Sequence, residues 1–154
     1  MADSIKRITL IPAEPEHLEL LFAWRQDREL MRFLPTFPEH LTWEEHWEWW
    51  INRENRLDWM ISMLGQTYEV RYVGTVHYNA ITHEIGIIVG EKTMQGQGVA
   101  RKALRHALGR IPHLWCIAVI HPDNIASQRV FASVGFKKTD EDARNGQEKW
   151  MYQS

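Results

Sequence analysis

Gln95-Gly96-Gln97-Gly98-Val99-Ala100 decides how this chain is read. Before it stands Glu84-Ile85-Gly86-Ile87-Ile88-Val89, an apolar run of strand character. After it, Val99, Ala100, Ala103, Leu104, Ala107, Leu108 and Ile111 fall on one helical face, with Arg101, Lys102, Arg105 and Arg110 off it. Strand, glycine turn and helix in succession make an anion site. The first-turn amides of the helix have no partner, and the helix dipole favours negative charge there. Gly96 and Gly98 carry no side chain to hold a phosphate away. A diphosphate suits such a turn. A P-loop would need Gly-Lys-Ser/Thr, which is missing. A dinucleotide fingerprint would need a third glycine where Arg101 stands.

Working outward, the periodicity predicts a strand over Ile5–Ile11, ended by Pro12, then one or two short helices from Pro15 to about Phe33. Pro35 and Pro38 break that pattern. Thr42-Trp43-Glu44-Glu45 reads as a capping box opening a helix to about Asn55. Strands follow at Trp59–Leu64 and Val70–Tyr78, with a turn near Gly65-Gln66. Leu114–Ile120 is a continuous apolar run, expected to be a strand buried on both faces. Asn124–Val134 reads as a helix capped by Gly135, and two last strands lie near Phe136–Lys138 and Lys149–Tyr152. This order predicts an α/β (α+β) fold: a mixed, mostly antiparallel sheet of about seven strands flanked by helices.

Composition sets the outer bounds. The 154 residues suit a single domain. A net charge of -2 gives nucleic acid no electrostatic hold. No apolar run approaches the roughly 20 residues of a membrane span. Met1-Ala2-Asp3-Ser4-Ile5 lacks the pattern of a signal peptide, so a cytoplasmic protein is expected. The one cysteine, Cys116, sits between Trp115 and Ile117 and reads as a buried structural thiol. No histidine or acidic pair shows convincing metal-ligand spacing, and no metal is expected.

The glycine turn resembles the Gln/Arg-x-x-Gly-x-Gly/Ala signature of the GNAT superfamily of N-acetyltransferases. Asn124 to Phe136 resembles the family segment that places an aromatic seven residues after Asn and ends in Gly-Phe. Together these cover both cofactor-binding halves, and the element order is similar over nearly the whole chain. The resemblance implies acetyl-CoA as co-substrate. It implies that the amides of Gly96, Gln97, Gly98, Val99 and Ala100, led by Gln95, hold the diphosphate. It places pantetheine along Ile88 and Val89, with Asn124 and Phe131 touching the cofactor arm and Arg101 or Lys102 near the 3′-phosphate.

Acetyl transfer to an amine needs a proton acceptor and a donor for the developing oxyanion. The resemblance gives the first role to Glu84, eleven residues before Gln95. It gives the second to a backbone amide, of Ile88 or of Val89. His77, His83 and His121 are weaker bases by residue type. Phe131 departs from the family, where a tyrosine is credited with protonating the CoA thiolate. Tyr78, Tyr152, water or unaided departure would have to replace it.

Phe22 to Asp27 and Thr42 to Trp50 resemble segments of ribosomal-protein and amino-sugar N-acetyltransferases, the latter acting on nucleotide-linked amino sugars. An amino sugar or other small amine is therefore the expected acceptor. A protein N-terminus and a non-catalytic acyl-CoA sensor are the alternatives. Trp43, Trp47 and Trp50 share a helical face expected to pack on the sheet, with Trp49 the surface aromatic. Arg25, His46, Trp49 and His77 are the expected acceptor contacts. A monomer or homodimer is expected.

Overall fold

The computed structural model describes residues 7–34, 40–65, 67–112 and 114–154. Ile5, Lys6, Pro35, Pro38 and Gln66, on which some expectations fell, lie outside them.

Four strands, β1 (Ile8–Pro12), β2 (Arg56–Leu64), β3 (Val70–Asn79) and β4 (Ile85–Val89), form an antiparallel sheet in chain order. Three more, β5 (Trp115–Ile120), β6 (Lys137–Asp142) and β7 (Glu148–Gln153), form a second sheet in the order β5-β7-β6. The helices are α1 (Leu18–Arg25), α2 (Trp43–Ile51), α3 (Val99–Leu108) and α4 (Ile125–Ser133). The first predicted helical stretch stops at Arg25. The α2 helix ends at Ile51, where Asn52 leaves the helical conformation (φ -103°, ψ 20°) and caps it, its side chain donating to the Glu48 carbonyl at 2.8 Å.

Strand alternation gives the first sheet two covered faces. Trp59, Ile61 and Met63 of β2 join α3 and α4 through Val99, Leu104 and Phe131. Met60, between them, joins α1 through Leu18, Leu21 and Trp24. Each such fully buried side chain contributes about 1.5–3 kcal/mol. On the α1/α2 face Asp58 of β2, His77 of β3 and Gly86 of β4 are cross-strand neighbours. A Cβ at Gly86 would collide with the His77 ring, so glycine there gives the imidazole its seat.

The sheets meet at one place. Glu84 makes a parallel bridge to Ile117, where the Ile117 N–H donates to the His83 carbonyl at 2.9 Å. Beyond it β4 and β5 diverge, opening a gap between Ile87–Val89 and the start of α4.

Two packing expectations are corrected. Leu114 is 74% exposed, and in β5 burial alternates, with Cys116, Ala118 and Ile120 buried on one face. An apolar run alone does not report which faces are covered. On α2 the inward residues are His46, Trp49 and Trp50, at i, i+3 and i+4. Trp43 and Trp47, expected in the core, are 40% and 44% exposed. The Thr42 hydroxyl does cap α2, accepting from the Glu45 N–H at 3.2 Å, a bond of about 1 kcal/mol. The Glu45 carboxylate, however, accepts from that hydroxyl and not from a backbone amide.

Candidate active site

Three adjoining cavities run through the gap and under α2. The first, of about 200 Å³, lies between Ile87–Val89, Gln95, Gly96 and Ala100 on one side and Asn124, Ser127 and Val130 on the other. The second, of about 170 Å³, continues past Ile88 to Phe131, His121, His77 and Glu84. The third, of about 280 Å³, lies under α1 and α2, with Trp24, Arg25, Trp49, Arg56 and Asp58 in its walls. Ile88 borders all three.

The glycine turn forms the outer lip. Gly96 and Gly98 have φ of 74° and 82°, which L side chains adopt at a cost, and the space where their Cβ atoms would stand is open. No side chain caps α3, so the amides of Val99, Ala100 and Arg101 stay available. Gln95 braces the turn by donating through Nε2 to the Val89 carbonyl at 3.0 Å. This cradle fits a diphosphate. Across the gap, Asn124 caps α4, its Oδ1 accepting from the Ser127 N–H at 3.2 Å.

The register decides which β4 amides face the gap. The Asn79 N–H donates to the Glu84 carbonyl at 2.9 Å, so that pair is hydrogen-bonded. Antiparallel pairs alternate, which makes His77–Gly86 and Thr75–Ile88 hydrogen-bonded too. The Ile88 N–H is therefore spent on β3, and it is not the oxyanion donor that its position suggested. Ile87 and Val89 present their amides to the gap, and the Val89 carbonyl meeting Gln95 fits that direction. Ile88 contributes its side chain at the point where the cavities join.

Glu84 lies on the same face as Gly86 and Ile88, bordering the second and third cavities. Arg144, in the β6–β7 connection, grips both its oxygens at 2.6 and 3.0 Å. That hydrogen bonding raises the Arg144 pKa above its ordinary value. A carboxylate so held keeps lone pairs for a further donor. His77 is pushed down to about 4, mainly by burial and then by the Arg56 charge, so it is neutral at pH 7. His121 borders the second cavity, whereas His83 borders none of the three and packs against Trp115, ring centroids 4.2 Å apart.

Phe131 is buried and packs edge-on against Phe136. Tyr78 and Tyr152, the offered replacements for its missing hydroxyl, border none of the three cavities. Ser127, one turn before Phe131, borders two of them. Cys116 is buried and its thiol is pushed up to about 12 by desolvation, which leaves it inert.

His46 is corrected from acceptor contact to support. It is fully buried, Nε2 donates to the Leu18 carbonyl at 2.9 Å, and Nδ1 accepts from Arg25 at 3.0 Å. Arginine only donates, so Nδ1 carries no proton. Burial, followed by the Arg25 charge, lowers the His46 pKa. Trp49 turns inward and stacks on His46 instead of facing solvent. The sequence reading missed Arg56, Asp58 and Arg144, and also Phe33 and Arg32 beside the first cavity. No local pattern marks them.

Residues 7–137 match the Acetyltransferase (GNAT) domain family, and the chain belongs to it. That family is one of acetyltransferases. An uncharacterized protein of Methanocaldococcus jannaschii is 37% identical over 142 residues, covering 88% of this chain; the chain spans 28% of that relative's length. The crystal structure of a domain from Methanocaldococcus jannaschii is 34% identical, covers 96% of this chain and 99% of that one, and gives a TM-score of 0.88. Spermidine N-acetyltransferase from Vibrio cholerae, in complex with CoA and spermine, shares the fold. It has a TM-score of 0.76, 17% identity and 95% coverage of each chain. Among the described residues no helix is long and apolar enough to cross a membrane.

Proposed function

We propose that this chain acetylates the primary amine of a small acceptor, an amino sugar being the first class to try. Bound acetyl-CoA supplies a thioester carbonyl for the amine to attack. The carrying observation is the continuous passage from the glycine turn, past Ile88, into a cavity walled by α1, α2 and the sheet. A cavity of about 280 Å³ at that end suits a small molecule better than a protein N-terminus. Trp49 lines that cavity, its ring already packed against His46 and Arg25, and gives the wall an apolar edge.

The roles follow from position along β4. The α3 amides hold the diphosphate, aided by the helix dipole. The Val89 amide, nearer that end, meets the pantetheine arm. The Ile87 amide, two residues further in, meets charge developing on the thioester oxygen. Glu84 attracts the acceptor's ammonium group and takes up its proton, with neutral His77 alongside. Water standing near Ser127 supplies the proton that Phe131 cannot give.

A thiol-release assay with acetyl-CoA, amino sugars, other small amines and N-terminal peptides tests this. Turnover confined to small amines is the expected result. Tight CoA binding without turnover of any amine, or turnover of peptides alone, overturns it.

A further inference from the structure

We propose that the acceptor carries an anionic group, a carboxylate or phosphate, beside its amine, and that Arg25 binds that group. This rests on the acetyltransferase reading above and names the substrate class of the same site.

The charges around the third cavity do not cancel. Among the described residues Arg25, Arg56 and Arg144 border it, against Asp58 and Glu84: three cations, two anions, a difference of +1. Both carboxylates are already engaged. Glu84 is gripped by Arg144. Asp58 accepts from Arg56 Nε at 3.1 Å and from Arg53 at 2.9 Å, which brings a fourth guanidinium to the same region. His77 is neutral at pH 7 and adds no charge.

Arg25 stands apart from the other three. Among the described residues no ion pair includes it, and its one side-chain hydrogen bond goes to the neutral His46. It is half-buried, with its guanidinium carbon 4.7 Å from the Trp49 ring centroid. Burial first, and the nearby Arg56 second, lower its pKa, and the charge of Glu45 offsets them only in part. An anion at this point would offset both penalties.

The support beneath Arg25 is fixed. Leu18 holds His46 by its Nε2–H, His46 holds one arm of Arg25, and Trp49 lies against both. A guanidinium oriented in this way, with donors to spare, is built to receive a planar or tetrahedral oxyanion. A polyamine or a multiply aminated sugar would bring only positive charge into an arginine-rich cavity. An acceptor with one amine and one oxyanion would place the amine at Glu84 and the anion at Arg25.

The test compares kcat/KM for glucosamine 6-phosphate, the sugar acid amine muramic acid, unmodified glucosamine and spermidine, in the wild type and in Arg25→Gln and Arg25→Lys. The expected result is a preference of roughly tenfold or more for an anionic over the neutral sugar amine. Arg25→Gln should reduce that ratio to near one, and Arg25→Lys should keep part of it. The phosphate and carboxylate arms tell the two anions apart. Calorimetry with N-acetylglucosamine 6-phosphate on the CoA-loaded protein gives a second readout, expected to weaken about tenfold in Arg25→Gln. Spermidine preferred over every anionic amine, or an anion preference or affinity unchanged in Arg25→Gln, overturns the proposal. With CoA binding and amine turnover intact, either result leaves the acetyltransferase reading standing. Loss of CoA binding in the wild type would instead strike that reading.

Discussion

The cofactor end and the acceptor end of this site are made of different material. At the proposed cofactor end the expected contacts are backbone amides of the Gly96–Arg101 turn and of Ile87 and Val89, and the side chains that matter there are the absent ones at Gly96 and Gly98. At the proposed acceptor end they are long charged side chains from four segments, Arg25, Arg56 with Asp58, Glu84 and Arg144, of which Arg56 pairs with Asp58 and Arg144 with Glu84. A backbone site tolerates change in neighbouring side chains but depends on φ. A side-chain site can be retuned residue by residue, and its charge balance sets which acceptor enters.

Substitutions can break this comparison one end at a time. The largest effect is expected from Gly98→Asp, which forces an L residue to a φ of 82° and puts a negative charge on the anion cradle. Acetyl-CoA affinity by calorimetry should fall roughly a thousandfold. The Tm of the free protein should move only a few degrees, since a Cβ there meets nothing within 4 Å. Unchanged affinity would place the diphosphate elsewhere.

Next comes Glu84→Gln, at the other end. The loss in kcat/KM should be about a hundredfold, with acetyl-CoA binding kept. The loss should deepen as pH falls, because more of the acceptor amine is then protonated. A pH-rate profile parallel to the wild type would remove Glu84 as proton acceptor.

The acceptor end should also govern acid stability. The His77 pKa is about 4 when folded and near 6.5 when free, so between these values the unfolded chain binds more protons. Stability is thus lost as pH drops from about 6.5 to about 4, by on the order of 2 kcal/mol. His46, also lowered, adds in the same direction. Urea unfolding at pH 7 and pH 4.5 measures the difference, and His77→Gln should shrink it. An unchanged difference would mean that the ring is not held neutral.

The smallest effect is expected from Phe131→Tyr, where the two ends meet. The ring is buried against Phe136, and kcat should change less than about fivefold. A much larger rise would show that thiolate protonation limits the present enzyme.

Legibility follows the same division. The turn at Gln95–Ala100 and the Asn124–Phe136 segment are each continuous in sequence, so their spacing alone brought out two segments that the fold sets on either side of the first cavity. The alternation that puts Glu84, Gly86 and Ile88 on one face was likewise readable. Arg144 lies 60 residues from Glu84, and nothing near either residue announces the pair. The α2 tryptophans misled because helical periodicity defines faces without saying which one docks. His46, a small polar side chain able to bridge Leu18 and Arg25, lies at the centre of the face that turns inward.

By itself the sequence determined the element order, the glycine turn and the anion it invites, because these depend on neighbours a few residues apart. The tertiary structure alone decided that Ile88 spends its amide on β3, that Trp49 points inward, and that Arg25, in the wall of the third cavity, has no ion-pair partner among the described residues. Each of these depends on register or on charges brought together from distant segments, which no local pattern encodes.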